Sequence, residues 1–327
     1  MKKLVALLVA LGVVALGRAY ADEKKMTVGV MPKLKGIDFF NAAQKGAEEA
    51  GKELGVTIVF DGPVTNDVTL QAQMLDTWIA KKFDAIAIAP NDPDAIAPAL
   101  AKARKRGIKV ITWDSDARKD ARDLFVNQCT SASVAKSLMD VLAKGAGPEA
   151  KYLIITGSLT ASNQNIWMKE MDKYRQTAYP KMLNLSATPK ASEEDQALAT
   201  QVAADSLKAY PNLQGILAIT SVALPGAAEA VRKAGVADKV FLTGLATPKA
   251  MRDYVKDGTV KQFVLWSPVD LGYLAVQAGV ASAKGELKPG QPTFKAGRVG
   301  EVKLDGDMVI LGEPVVFDKS NIDKYDF

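Results

Sequence analysis

Two acidic side chains directly follow one of the short apolar runs of this 327-residue sequence. Asp114 and Asp116 come just after the run 109–113, within the segment Trp-Asp-Ser-Asp. A carboxylate at such a position can accept hydrogen bonds from two hydroxyl groups at once, and sugar hydroxyls are natural donors. The alternative is that Asp114 or Asp116 caps the segment that follows. The pattern therefore predicts either a ligand-binding group or a local cap.

Lys33, Phe39 and Phe40 form a second group, in the loop and helix start that follow the first apolar run. Lys33 can donate a hydrogen bond to a hydroxyl or carbonyl oxygen, although a single lysine in a loop is commonly just solvated. Of the two adjacent aromatic residues, we expect one in the core and the other free to stack on the C–H face of a flat ligand. Burial of both is the alternative.

Amide side chains dominate a polar turn in the second half of the chain. Asn163 and Gln164 lie in the segment 157–165. Amides suit neutral polyhydroxy ligands, because they both donate and accept hydrogen bonds. Since Asn163 could instead be an ordinary helix N-cap, Gln164 is the stronger candidate for a ligand contact.

Two further segments complete the candidate site, with less specific signals. Around Ile219 and Ser221, exposed backbone groups or the serine hydroxyl could contact a ligand. Trp266 follows the predicted strand 260–265 and offers another stacking face, unless it is buried in the core.

The composition argues against most catalytic chemistry. The sequence contains no histidine and one cysteine, Cys129, which removes the commonest general base, the commonest zinc ligand and any internal disulfide. We therefore expect a protein that is not an enzyme, with no cofactor or metal. An exported hydrolase that uses carboxylates such as Asp114 and Asp116 is the alternative from another class. The formal net charge is +5 with both signs interleaved, which predicts no nucleic-acid partner.

From residue 25 onward, short β-branched runs alternate with stretches of helical period, which is typical of parallel βαβ units. The first series of predicted strands covers 26–31, 56–60, 85–89 and 109–113, with helices near 39–54, 66–82 and 93–106. The second series covers 151–156, 185–188, 215–220 and 239–243, with helices near 131–146, 164–178, 194–209 and 223–235. This rhythm predicts an α/β fold with two doubly wound parallel-sheet lobes joined by a hinge. In such sheets ligands bind beyond the carboxyl ends of the strands, so we expect the site between the lobes.

The N-terminus has the parts of a secretory signal peptide. Lys2 and Lys3 precede the apolar run 4–16, and Ala-Tyr-Ala at 19–21 has the form that a signal peptidase accepts. The apolar run is about a dozen residues long, short of the ~20 that span a bilayer. We expect a signal peptide over 1–21, a mature chain that begins at Asp22 and a location in the periplasm. No cysteine comes directly after Ala21 to carry a lipid, so we expect a soluble protein and not a lipoprotein.

Six motifs, taken together in this order, give a specific resemblance to a known family. They are PKLKGIDFF at 32–40, ITWDSD at 111–116, NQNIW at 163–167, ALP at 223–225, GLATP at 244–248 and LW at 265–266. Over essentially the whole mature chain, the sequence resembles the ribose/galactose-type periplasmic solute-binding proteins of ABC importers, in particular the branch of autoinducer-2 receptors and rhamnose-binding proteins. The resemblance implies a type I periplasmic binding protein that captures a small sugar, deoxysugar or polyol, or alternatively autoinducer-2.

The resemblance also implies which side chains contact the ligand. Autoinducer-2 receptors use a lysine, an aspartate and a glutamine where this chain has Lys33, Asp114 and Gln164. These three matches keep autoinducer-2 as an alternative ligand beside a sugar or polyol.

The chain departs from the autoinducer-2 pattern at three positions. Asn163, Ile219 and Ser221 stand where those receptors have an aspartate, a proline and an alanine. The contacts at Ile219 and Ser221 are taken to be backbone groups, so those changes are tolerable. The change to Asn163 matters more, because an ionised carboxylate only accepts hydrogen bonds whereas an amide also donates them.

The same resemblance implies domain organisation and partners. It predicts an N-terminal lobe from 22–125 and 250–285, and a C-terminal lobe from 126–249 and 286–327 that includes a hinge-crossing tail. The implied partners are a membrane permease and its ATPase, a chemoreceptor is an open alternative, and we expect a monomer. A transcriptional regulator of related fold would need an N-terminal helix-turn-helix where this chain has its signal segment.

Overall fold

The computed structural model describes residues 25–327, and the predicted signal peptide at 1–21 lies outside the described residues. In chain order, the elements of the first half are β1 (Thr27–Met31), α1 (Asp38–Leu54), β2 (Thr57–Phe60), α2 (Val68–Ala80), β3 (Ala85–Ile88), α3 (Ala97–Lys105), β4 (Lys109–Trp113), β5 (Leu124–Asn127), α4 (Ser131–Ala146), β6 (Lys151–Thr156) and α5 (Ser162–Ala178). Those of the second half are β7 (Leu183–Asn184), β8 (Lys190–Ala191), α6 (Gln196–Ala209), β9 (Gly215–Ala218), α7 (Ala223–Ala234), β10 (Phe241–Gly244), α8 (Pro248–Lys256), β11 (Gln262–Leu265), α9 (Pro268–Ala283), β12 (Thr293–Ala296), β13 (Gly300–Asp305), β14 (Met308–Ile310) and β15 (Val315–Asp318).

The first sheet has eight strands in the order β12-β13-β14-β5-β4-β3-β1-β2. Strands β1 to β5 are parallel, and Val28 of β1 lies opposite Ile58 of β2 and Ala85 of β3. Helices α2 and α3 pack on one face, and α1 and α9 pack on the other. Because both faces are covered, central strands such as β3 are unbroken apolar runs.

The second sheet has the order β10-β9-β6-β7, with the short β8 also paired to β6, and all these pairs are parallel. Together the two sheets confirm the predicted fold class, an α/β protein with two doubly wound parallel-sheet lobes. No helix within residues 25–327 has the length and apolar composition needed to cross a membrane.

The tail after residue 286 differs from the expectation, which assigned it to the second lobe. Strand β14 pairs in parallel with β5, and β13 and β12 continue the sheet in antiparallel fashion. This pairing covers the edge of β5, whose backbone N–H and C=O groups would otherwise lack strand partners. Strand β15 pairs with β11 in a separate two-stranded sheet. Three of the four tail strands therefore belong to the first sheet.

The strand predicted at 185–188 is replaced by two shorter strands on either side of it. Strand β6 pairs with β7 near its start and with β8 at its end. Between them, Ser186 N donates to Asn184 Oδ1 at 3.1 Å, and the Ser186 hydroxyl donates to Thr188 O. Such local bonds between side chains and backbone compete with strand pairing, which explains the interruption.

Helices α1 and α9 approach each other through two glycines. A Cβ atom at Gly46 would lie 1.8 Å from Val269 O, and one at Gly272 would lie 2.0 Å from Ala43 O. No methyl group fits at either place without moving a backbone. This close contact holds α9, from a late part of the chain, against the first βαβ unit.

We expect Gly272→Ala to lower the thermal unfolding midpoint of the protein clearly, because overpacking a tight contact costs about 1–3 kcal/mol. Gly279→Ala is the matched control in the same helix, since its Cβ would meet no atom closer than 3.7 Å. The control should leave the midpoint unchanged or raise it, because alanine is about 1 kcal/mol more favourable than glycine inside a helix. Equal midpoints for the two variants, measured by circular dichroism, would contradict the packing described here.

Candidate functional site

The carboxyl ends of strands from both lobes meet at a cleft. Eight side chains predicted from the sequence lie in its wall: Lys33, Phe39, Phe40, Asp114, Gln164, Ile219, Ser221 and Trp266. The two other predicted residues, Asp116 and Asn163, are not part of the wall. Their side chains instead make contacts within and between the lobes.

Asp114 lies directly after β4 in a backbone conformation that few residues other than glycine adopt. Its φ is +61°, and Ser115 N donates to Trp113 O at 2.6 Å across it. A γ-turn with positive φ is rare and strained, and such strain is often found at functional sites. Ser115 Oγ holds the turn in place by donating to Pro90 O at 2.7 Å.

Burial makes the charge on the Asp114 carboxylate unfavourable. The residue is 5% exposed, and its Oδ2 atom lies 3.7 Å from Lys33 Nζ. Desolvation raises the pKa of Asp114 from 3.8 to about 6, while Lys33 acts to lower it and Glu194 acts to raise it. The carboxylate is therefore mostly ionised at pH 7 and becomes protonated in mild acid.

Lys33 contacts groups from both lobes. Its Nζ atom donates to Asn163 Oδ1 at 3.0 Å and faces Asp114. Asn163 Nδ2 in turn donates to Asp114 O at 3.3 Å. Asn163 is not the N-cap of α5, since that position is Ala161. It therefore positions Lys33 and Asp114 from the second lobe.

Gln164 has its amide orientation fixed by three hydrogen bonds. Its Oε1 atom accepts from Gly157 N at 2.7 Å and from the Thr156 hydroxyl, both at the end of β6. Its Nε2 atom donates to Glu194 Oε1 at 2.9 Å. The amide therefore presents a defined edge to the cleft and connects the end of β6 to the segment that follows β8.

Glu194 lines the cleft and was not among the residues predicted from the sequence. Besides the bond from Gln164, its Oε2 atom accepts from Thr220 Oγ1 at 2.6 Å. The signal that could have found it is the acidic turn Glu-Glu-Asp at 193–195, which follows a short strand as Asp114 follows β4. A two-residue strand such as β8 gives no alternating pattern, so the strand end was not recognised.

Asp116 does not contribute to the cleft wall as a predicted ligand-binding residue, because its carboxylate is paired with another side chain. Arg122 donates to both carboxylate oxygens at 2.7 Å, and the Thr112 hydroxyl also donates to Oδ1. Arg122 is 3% exposed and also pairs with Asp307 at 2.7 Å. Through Arg122, Asp116 therefore connects the turn after β4 to Asp307 in the tail. Its backbone oxygen accepts from Ser162 Oγ at 3.0 Å, which adds a contact between the lobes.

Aromatic side chains form the apolar part of the cleft wall. Trp266 packs against Phe39, with ring centroids 6.2 Å apart, and against Trp167, 5.6 Å apart. Phe39 and Phe40 are both buried and meet edge to face at 5.1 Å, and Phe40 continues to Trp113 at 5.6 Å. The Trp266 Nε1 atom is buried and has no hydrogen-bond partner among residues 25–327.

The segment after β9 contributes Ile219, Thr220 and Ser221 to the cleft wall. Ile219 is fully buried, and its N–H donates a hydrogen bond to Ile155 O at 2.8 Å. Ser221 lies in the wall between Thr220 and the start of α7. The Ser221 side chain is partly exposed, so its hydroxyl can reach a ligand.

Metal and thiol chemistry find no support within residues 25–327. No group of three or more histidine, cysteine, aspartate or glutamate side chains there is arranged to hold a metal ion. Cys129 is fully buried, and burial raises the pKa of its thiol. A neutral buried thiol is a poor nucleophile.

Replacing Asp114 by asparagine should stabilise the ligand-free protein. A carboxylate whose pKa is raised from 3.8 to about 6 opposes folding by up to about 3 kcal/mol at pH 7. The folded protein binds the Asp114 proton more tightly than the unfolded protein does. The free-energy penalty of the charge for folding therefore grows from pH 4 to pH 6 and is complete above pH 6. Asparagine removes the charge and tolerates positive φ.

The measurement is the difference in thermal midpoint between Asp114→Asn and the parent protein. We expect a positive difference at pH 7.5 that shrinks towards zero near pH 4. A variant less stable than the parent at both pH values would show that the charge of Asp114 does not oppose folding.

Comparisons with known proteins agree with this geometry. Residues 28–287 match the periplasmic binding protein domain family. LsrB from Clostridium saccharobutylicum, solved in complex with AI-2, is 28% identical with a TM-score of 0.88, over 92% of this chain and 100% of that one. An ABC transporter solute binding protein from Clostridium phytofermentas with bound L-rhamnose has the same identity and TM-score, over 92% and 98% of the two chains.

Among curated proteins, the D-allose-binding periplasmic protein of Escherichia coli K12 is 26% identical over 269 residues, which are 79% of this chain and 85% of that protein. The resemblance to type I periplasmic solute-binding proteins stated from the motifs is thereby confirmed. These relatives are binding proteins, and none of the three is named as an enzyme. With its family match extending from the first strand to the end of α9, the chain belongs to the periplasmic binding protein domain family.

Proposed function

We propose that this protein captures a small sugar, deoxysugar or polyol in the cleft between its lobes and delivers it to an ABC importer. The proposal rests on the composition of the cleft wall, which has an aromatic part and a hydrogen-bonding part. Phe39 and Trp266 supply the apolar side, and Lys33, Asp114 and Gln164 supply donors and acceptors. A sugar ring has matching surfaces, since its C–H face is apolar and its hydroxyl groups both donate and accept.

Contributions from both lobes support capture by closure. Lys33 and Asp114 come from the first sheet, whereas Gln164 follows the first strand of the second sheet. A ligand that bonds to both sets is released only when the lobes separate. Hinge closure around a ligand is the general motion of periplasmic binding proteins.

Autoinducer-2 is the second candidate ligand. Lys33, Asp114 and Gln164, which match the contacts of autoinducer-2 receptors, all lie in the cleft wall. Asn163 weakens this candidate, since its amide oxygen is engaged by Lys33 at 3.0 Å where those receptors have an aspartate. A carboxylate there would add a negative charge beside Lys33 and change the hydrogen-bonding pattern offered to a ligand.

Location and partners are part of the same proposal. The protein works in the periplasm after signal-peptide cleavage, as a monomer that presents one face of each lobe to a permease and its ATPase. It has no enzymatic activity. The engagement of Asp116 by Arg122 supports this, because it leaves Asp114 without Asp116 as a partner for acid–base catalysis in an exported hydrolase.

A thermal-shift screen of the mature protein tests the proposal. The panel contains L-rhamnose, D-ribose, xylitol and autoinducer-2, on protein purified free of retained ligand. A ligand at 100 times its Kd stabilises the folded form by about 2.7 kcal/mol, which raises the midpoint by several degrees. We expect at least one compound to do so with the parent protein and not with Asp114→Asn.

A shift with autoinducer-2 alone would favour the second candidate. No shift with any compound, together with hydrolysis of a glycoside by the purified protein, would contradict the proposal.

A further inference from the structure

The Glu194 carboxylate is placed so that it can contact a ligand as well as hold neighbouring side chains in position. Its carboxylate accepts one hydrogen bond on each oxygen, from Gln164 Nε2 at 2.9 Å and from Thr220 Oγ1 at 2.6 Å. An ionised carboxylate has about four acceptor positions, so two remain for a ligand. Since Glu194 also forms part of the cleft wall, those positions are within reach of a molecule held there.

The backbone that carries Glu194 is held in an unfavourable conformation. Glu193 and Glu194 have φ values of +50° and +57°, and residues other than glycine seldom adopt such values consecutively. Of the four non-glycine residues with positive φ in residues 25–327, three are Asp114, Glu193 and Glu194. Strain of this kind persists where the surrounding structure enforces it, commonly at binding sites.

Gly157 provides the space for the Glu194 carboxylate. A Cβ atom at this glycine would lie 2.0 Å from Glu194 Oε1. Gly157 does not have positive φ, so its backbone does not itself require glycine. The absence of a side chain there is therefore explained by the approach of the carboxylate.

We propose that Glu194 is a second acidic ligand contact, which accepts a hydrogen bond from a ligand hydroxyl from the side of the second lobe as Asp114 does from the first. The inference rests on the proposed function and makes it more specific. The ligand must offer hydroxyl donors to both carboxylates, so an analogue that lacks the hydroxyl facing Glu194 should bind poorly.

The charges in the cleft fit this assignment. Lys33 is the one cation among the side chains of the wall, whereas Asp114 and Glu194 are both acidic. Lys33 and Glu194 are the charged groups that act on Asp114, and Glu194 raises the pKa of Asp114 through charge repulsion. Hydroxyl groups that donate to both carboxylates would relieve the excess of negative charge.

The experiment compares Glu194→Gln with Glu193→Gln by isothermal titration against L-rhamnose, D-ribose, xylitol and autoinducer-2, from pH 5 to pH 8. Glu193 is the matched control, because it has the same backbone conformation but an exposed side chain outside the wall. At pH 7.5 we expect Glu194→Gln to weaken binding at least about tenfold, the usual effect of losing a charged hydrogen-bond partner. Glu193→Gln should stay within about twofold of the parent.

The pH profile tests the charge coupling between Glu194 and Asp114. Binding by the parent should weaken as the pH falls through about 6, where Asp114 becomes protonated. Glu194→Gln should move this weakening to lower pH, because the like charge near Asp114 is gone. Ligand contact is tested separately: the parent should bind an analogue without the facing hydroxyl more weakly than the full ligand, whereas Glu194→Gln should bind the two about equally.

Gly157→Ala provides a second, independent variant that displaces the carboxylate without removing it. It should reproduce the affinity loss of Glu194→Gln, and combining the two should add little. If the parent binds a probe and both Glu194→Gln and Glu193→Gln bind it equally well, the assignment of Glu194 is wrong while the proposed function stands. If the parent binds none of the four compounds, the proposed function fails and the assignment fails with it.

Discussion

The buried charge of Asp114 is the constraint on which the rest of the site depends. The carboxylate is 5% exposed and has one nearby cation, Lys33, at 3.7 Å. Desolvation outweighs that attraction, as the raised pKa of Asp114 shows. A protein selected for stability alone would place a neutral residue in this turn, so the retained carboxylate is best explained by a ligand that donates hydrogen bonds to it.

The remaining polar groups are arranged around this charge. Asn163 extends from the second lobe to Lys33 and to the backbone of Asp114, so the electrostatic centre also lies where the lobes meet. Arg122 neutralises the neighbouring Asp116 and keeps a further negative charge off the cleft wall. The outcome is a wall with a few fixed hydrogen-bonding groups on one side and packed aromatic rings on the other, the usual composition of a small-molecule site.

Much of the fold and most of the site could be predicted from the sequence, because both follow local patterns. Most of the parallel strands are short apolar runs, Lys33 and Asp114 come within two residues of the ends of such runs, and Gln164 lies at the start of the helix that follows one. The largest departure, the place of the tail, depended on contacts between distant residues. The tail joins the first sheet through pairing of Met308–Ile310 with β5, which no local pattern encodes.

Two residues of the site show the same limit in detail. Asp116 has the same local sequence context as Asp114, but a bidentate contact with Arg122 takes its carboxylate out of the cleft. Glu194 follows a strand of only two residues, too short to show a period, and its place in the wall depends on Gln164, Thr220 and the space at Gly157.

The most direct test of the role of Asp114 in ligand binding is the titration of its carboxyl group, followed by carboxyl ¹³C NMR, with and without the sugar that gives the largest thermal shift. We expect an Asp114 pKa of about 6 in the free protein and a clearly lower pKa in the complex, because ligand hydroxyls that donate to the carboxylate favour its ionised form. An unchanged or higher Asp114 pKa in the complex would contradict hydrogen bonding of the ligand to this carboxylate.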